Sequence, residues 1–102
     1  MKNYNELEAL VISWASQKGI LEHGTPYKQA QKTLEECGEL LHSIGKNDKE
    51  GCQDDLGDIL VTIIIQAEMQ GFKLTDCLEA AYNVISKRTG VMKNGTFLKD
   101  EA

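Results

Sequence analysis

Two groups of acidic residues are spaced so that their side chains can meet. Lys32-x-x-Glu35-Glu36-x-x-Glu39 is followed by Asp54-Asp55-x-x-Asp58, which runs straight into Ile59-Leu60-Val61-Thr62-Ile63-Ile64-Ile65. Helical positions i and i+3 share a face, so Glu36 and Glu39 can address one point, as can Asp55 and Asp58. Four carboxylates converging in a small bundle repel one another. A hard divalent cation between them relieves that repulsion, and an all-oxygen donor set suits magnesium or manganese. Each group alone has an ordinary explanation. Glutamates populate solvated helix faces, Lys32 and Glu36 form an i,i+4 pair, and acids near a helix start complement its dipole. The conjunction is more specific, because aspartate is a poor helix former and three aspartates abut the most apolar stretch of the chain.

A different metal chemistry is suggested by Glu39-x-x-His42, the spacing used in di-iron carboxylate bundles. Those proteins carry the motif on two helices. The other histidine here, His23, falls in a predicted loop without such a glutamate, which leaves His42 as a rim residue.

The elements that must position the acids follow from the apolar spacing. Leu7, Leu10, Val11, Trp14 and Ala15 predict a first helix over about Asn5 to Lys18, ended by Gly19. Gly19 to Gly24 reads as a loop. Thr25 then caps a second helix with Pro26 at its first position, running to about Ile44 before Gly45. Its apolar positions Ala30, Leu34, Cys37, Leu41 and Ile44 predict a core face, with Lys32, Glu36 and Glu39 roughly opposite. After a polar connector, Gly45 to Gly51, a third helix over about Gln53 to Gln70 is apolar nearly all round and should be the central one. Thr75 caps a fourth, with Leu78, Ala81, Tyr82 and Ile85 as its core face, ending in Lys87 and Arg88 before Gly90. Val91 to Ala102 forms a short tail with a turn signal at Asn94-Gly95. Four helices with short connections predict an all-α bundle.

Composition narrows the function. A chain of 102 residues with 41% hydrophobic and 26% charged residues is expected to be one domain with one core. A net charge of −5 argues against a surface that wraps a nucleic-acid polymer. The longest apolar run is too short to span a bilayer, and the N-terminal residues lack a signal-peptide core. Cys37, Cys52 and Cys77 fit no zinc or paired-thiol pattern, so reduced thiols and a cytoplasmic location are expected. No Walker A loop, dinucleotide fingerprint or nucleophile elbow occurs.

The motifs taken together resemble the MazG-like all-α nucleoside triphosphate pyrophosphohydrolases. That family pairs Glu-Glu-x-x-Glu on one helix with Glu-x-x-Asp on the next; here stand Glu35-Glu36-Cys37-Gly38-Glu39 and Asp55-Leu56-Gly57-Asp58. His23-Gly24-Thr25-Pro26, Gln29 and Lys32 before the first motif resemble compact, phage-type members. So do Ala81-Tyr82-Asn83 to Arg88, Gly90 and Asn94-Gly95-Thr96-Phe97 after the second. The departure is Asp55 where the family has Glu; Asp54, i,i+4 from Asp58, offers a second carboxylate, and the choice between them stays open.

The resemblance implies a four-helix, oligomeric bundle, a homodimer or homotetramer. It implies magnesium-dependent hydrolysis of (deoxy)nucleoside triphosphates to monophosphate and pyrophosphate, with manganese as a substitute ion. It places Glu36, Glu39, Asp58 and Asp55 or Asp54 on metal, and Glu35 on the attacking water. Lys32, Asn83, Lys87 and Arg88 would hold the phosphate chain, and Trp14, Gln29 and the His23–Thr25 loop the base. Within the same superfamily, a phosphoribosyl-ATP pyrophosphohydrolase or a dUTPase- or dCTPase-like enzyme is an alternative. From another class, so is a non-catalytic helical interaction module whose acids form a solvated face.

Overall fold

The structure, a computed structural model, describes residues 1–100; Glu101 and Ala102, the end of the expected tail, lie outside the described residues. Two compact units divide the chain, the first Met1–Phe72 and the second beginning at Lys73.

The first unit holds four helices: α1 (Tyr4–Gln17), α2 (Ile20–His23), α3 (Pro26–Gly45) and α4 (Lys49–Gln70). Cap chemistry sets their starts. Asn3 Oδ1 accepts from the Glu6 amide at 2.9 Å, Thr25 Oγ1 from the Lys28 amide at 3.2 Å, and Asp48 Oδ1 from the Gly51 amide at 3.0 Å. Each satisfies an amide that the helix itself leaves unpaired. Gly71, at φ 77°, ends α4 in the left-handed conformation, and the Phe72 amide donates to the Ala67 carbonyl at 2.9 Å, the closure that a C-terminal glycine permits.

Helix α4 is central, as its composition predicts. It packs along α3 and touches α1 and α2, and it supplies Ile64, Ile65 and Ala67 to a small core completed by Ala15 of α1. Thr62 and Asp55 are buried on the same helix.

Several expectations are corrected. The Gly19–Gly24 segment is not an irregular loop, because α2 forms one short helical stretch within it. Helix α4 begins four residues before the expected Gln53, at Lys49. Asp48 gives the reason, because its carboxylate caps the helix by accepting from the Gly51 amide; a Cβ at Gly51 would collide with that carboxylate and lie 2.9 Å from Ser43 Oγ. A glycine that reads as connector is a helical residue without room for a side chain. The left-handed residue after α3 is Asn47, at φ 55°, not Gly45.

The largest correction concerns α3. Its expected core face points outward: Ala30 is exposed, and Leu34 and Leu41 are each 72% exposed. Its polar face, carrying Gln29, Thr33, Glu36 and Ser43, is turned toward α4. Hydrogen bonds from Gln29, Thr33 and Ser43 fix which face of α3 meets α4.

The second unit is α5 (Leu74–Ile85) followed by an antiparallel hairpin of β1 (Gly90–Lys93) and β2 (Thr96–Lys99). The fold is therefore mostly helical with a small hairpin, not purely α. Asn94 and Gly95 both have positive φ, 52° and 82°, the two-residue turn whose twist suits a hairpin. It sets the register from Lys93↔Thr96 to Gly90↔Lys99. Helix α5 starts at Leu74 rather than after a Thr75 cap, and its cap, Lys73, makes no side-chain capping bond. Leu78, Tyr82 and Ile85, the expected core face, are exposed.

Candidate active site

The facing surfaces of α3 and α4 are joined by hydrogen bonds on both sides of the acidic residues. On one side Thr33 Oγ1 donates to Thr62 Oγ1 at 2.9 Å, Thr62 Oγ1 donates to the Ile59 carbonyl at 2.7 Å, and Gln29 Nε2 donates to the Thr62 carbonyl at 3.2 Å. On the other, Ser43 Oγ donates to Asp55 Oδ2 at 2.6 Å. Thr33 and Ser43 are ten residues apart, ~15 Å along a helix. Glu36 and Glu39 lie between them on α3, and Asp58 lies between Asp55 and Thr62 on α4.

Glu36 is the inner member of the cluster. Its side chain is only 12% exposed, and its Oε2 is buried without a hydrogen-bond partner. Burial pushes its carboxyl above the usual glutamate value, the Glu39 carboxylate adds to the effect, and Asp58 adds further; Lys32 acts in the opposite direction. Lys32 Nζ stands 3.8 Å from Glu36 Oε1 and 3.5 Å from Glu35 Oε1. A lone exposed ammonium shared by two carboxylates does not balance this much negative charge. Glu35, Glu39, Asp54 and Asp58 are exposed, while Asp55 is buried. Among the described residues, no three His, Cys, Asp or Glu side chains are already gathered in chelating geometry. His42 is exposed near the end of α3.

Beside the acids opens a cavity of about 460 Å³, within the size range of small-ligand sites. Glu36 and Asp58 form its acidic edge, Lys28 and Lys32 its basic edge, and Trp14, Gln29 and Thr62 further wall. Trp14 is 46% exposed, leaving much of its ring uncovered, and it also lines an adjoining apolar hollow with Leu7, Leu10 and Asp58. The apolar stripe expected to fill a core on α1 is in good part cavity wall.

The structure thus brings Trp14, Gln29, Lys32, Glu36 and Asp58 to one cavity. Asn83, Lys87 and Arg88 belong to the second unit. Lys87 and Arg88 lie just past α5, their amides donating to the Val84 and Ile85 carbonyls at 3.3 and 3.0 Å. Arg88 lines a hollow with Phe97, Leu98 and Lys99. Sequence reasoning passed over Lys28 and Ser43. Both were marked by spacing: Lys28 is i−4 from Lys32, and Ser43 is i+4 from Glu39.

Residues 25–92 match the MazG nucleotide pyrophosphohydrolase domain. The chain belongs to the MazG nucleotide pyrophosphohydrolase family. The match begins at the Thr25 cap, includes both acidic motifs and ends in β1. The chain is also 34% identical, over 68 residues, to an uncharacterized 18.2 kDa protein in the rep-hol intergenic region of Haemophilus phage HP1. The aligned segment covers 67% of this chain and 42% of the phage protein, so the chain spans less than half of that relative's length. No solved structure matches.

The ionisation of Glu36 is directly testable. Its folded pKa lies above the ordinary 4.5. Folding therefore favours the protonated form; that contribution is complete below the ordinary value and is lost as pH rises through the raised one. Glu36→Gln, which is neutral at every pH, should raise the melting temperature of chelator-treated protein at about pH 7, and the advantage should disappear toward about pH 4.5. Thermal melts across that range check this. A variant that melts no higher than the parent at neutral pH contradicts it.

Proposed function

We propose that this chain hydrolyses a (deoxy)nucleoside triphosphate to the monophosphate and pyrophosphate. The observation that carries the reading is the buried, unpartnered Glu36 Oε2 beside Glu39 and Asp58, at the edge of a cavity that also offers Trp14 and two lysines. The donor set fits a hard divalent cation: oxygen atoms only, excess negative charge and one orphaned acceptor. Glu36, Glu39, Asp58 and Asp55 or Asp54 would hold magnesium, with manganese as a substitute. When bound, the ion supplies neutralisation of the phosphate chain and activation of water.

The chain's own residues carry the rest. Glu35 accepts the proton of a water attacking the α-phosphorus, and the bond from that phosphorus to the bridging oxygen breaks, so pyrophosphate leaves in one piece. Lys32, at the basic edge of the cavity, binds a phosphate oxygen. Trp14 stacks on the base, and Gln29, held by the Thr62 carbonyl, hydrogen-bonds to its edge. Asn83, Lys87 and Arg88 bind the phosphate chain; this part rests on the family resemblance. The family match extends over residues of both units, which supports treating the chain as a single pyrophosphohydrolase domain. No described helix is long and apolar enough to cross a membrane, and the free thiols of Cys37, Cys52 and Cys77 suit a reducing, cytoplasmic setting. Incubating the protein with magnesium and common nucleoside triphosphates, and measuring pyrophosphate and phosphate separately, tests the reading.

The outward face of α3 supports a homodimer or homotetramer. Ala30, Leu34, Cys37, Leu41 and Ile44 recur at alternating spacings of four and three, the pattern of a helix-packing seam, and Leu34, Leu41 and Ile44 are exposed. Sedimentation equilibrium should give a mass at least twice the 11.3 kDa of the chain, and Leu34→Ser with Leu41→Ser should lower it. A monomeric parent would refute the assembly.

A further inference from the structure

We infer that Ser43 is a positioning residue, and that its hydroxyl selects Asp55, not Asp54, as the second-helix partner of Asp58 in binding the cation. The inference rests on the metal-dependent reading above.

Asp55 is 8% exposed, whereas Asp54 is exposed. The Asp55 carboxylate accepts one side-chain hydrogen bond among the described residues, from Ser43 at 2.6 Å. None of the ion pairs among the described residues includes it. The buried side-chain oxygen left without a partner among the described residues is that of Glu36, not one of Asp55, so the second Asp55 oxygen stays open to a further ligand, and a cation suits a carboxylate whose one side-chain donor is neutral. The hydroxyl occupies one lone pair of Oδ2 and fixes the rotamer. That leaves Oδ1 and the remaining lone pair of Oδ2 available on a side chain that the Ser43 bond restrains. Outer-shell donors of this kind orient metal-binding carboxylates.

The hydroxyl is itself held in place. Ser43 sits one turn beyond Glu39 on the face of α3 turned to α4. Its carbonyl accepts from the Asp48 amide at 3.0 Å, so the turn into α4 is tied to the same residue. Any Cβ at position 51 would lie 2.9 Å from Ser43 Oγ. Gly51 keeps that space clear, and a shorter Asp in place of the family's Glu is reached by a donor placed on the opposite helix.

The test measures manganese binding by electron paramagnetic resonance, without nucleotide, on the full chain. Ser43→Ala should weaken binding roughly tenfold or more, and Ser43→Thr, which keeps the hydroxyl, should restore most of it. Asp55→Asn should weaken binding further, and adding Ser43→Ala to Asp55→Asn should change nothing more, since Ser43 acts through that carboxylate. Asp54→Asn should leave binding near the parent value. Ser43→Ala with a lower melting temperature but unchanged manganese affinity overturns the inference. So does an equal loss from Ser43→Ala in the parent and Asp55→Asn backgrounds. A parent protein that binds no manganese defeats the metal-dependent reading itself, a result distinct from either.

Discussion

Asp58→Asn and Glu39→Gln should each lower magnesium-dependent turnover by at least about a hundredfold while the protein stays folded. Both substitutions preserve side-chain shape and remove the charge that faces the cation. Losing even an outer-shell partner of a metal ligand costs roughly ten- to a hundredfold, so losing a ligand should cost no less. The fold should survive because neither residue belongs to the core: both are exposed, and the buried positions are Ala15, Asp55, Thr62, Ile64, Ile65 and Ala67. Without metal the variants should be at least as stable as the parent, since each removes a negative charge that acts on Glu36. Steady-state turnover and circular dichroism on the same samples separate chemistry from folding. Near-normal turnover in both variants would remove these residues from the metal site.

Arg88→Ala should reduce catalytic efficiency by roughly 1.5–3 kcal/mol, the range for a hydrogen bond to a charged group. That is roughly a ten- to hundredfold loss. Arg88→Lys should recover only part of it, because a guanidinium can grip a phosphate with two parallel bonds and an ammonium cannot. Arg88 lies beyond the last residue of α5, its amide bonded to the Ile85 carbonyl at 3.0 Å. A purely local role there, balancing the helix dipole, would show as about 0.3–1 kcal/mol of stability with unchanged catalysis. Catalytic efficiency and melting temperature of the two variants distinguish the roles. A lower midpoint with normal efficiency returns Arg88 to the helix end and leaves Lys32 and Lys87 as phosphate-binding candidates.

What the sequence disclosed and what it hid follow from the range of the forces involved. The Thr25-Pro26 start of α3, the end of α4 at Gln70 and the Asn94-Gly95 turn were legible because each depends on a few neighbouring atoms. The hairpin itself was not, because short strands are marked by pairing rather than by their own residues. The orientation of α3 was misread for a deeper reason. Periodicity reports which face is apolar, and it equates apolar with inward. Here Thr33 and Ser43 find their partners on α4, at Thr62 and Asp55, so the polar face turns inward and Leu34 and Leu41 are exposed. Spacing alone does not distinguish an apolar stripe that is buried within the chain from one that is left exposed. The acids themselves were legible from spacing. The burial that distinguishes Glu36 from Glu35, and Asp55 from Asp54, required the neighbouring helix.

Attack at the α-phosphorus and attack at the γ-phosphorus leave different products, and product identity separates them. Purified protein, a nucleoside triphosphate and magnesium should yield pyrophosphate and nucleoside monophosphate in equal amounts from the earliest time points, with no release in the presence of chelator. Initial formation of inorganic phosphate and a nucleoside diphosphate would contradict the account, as would the absence of any hydrolysis across the common nucleotides.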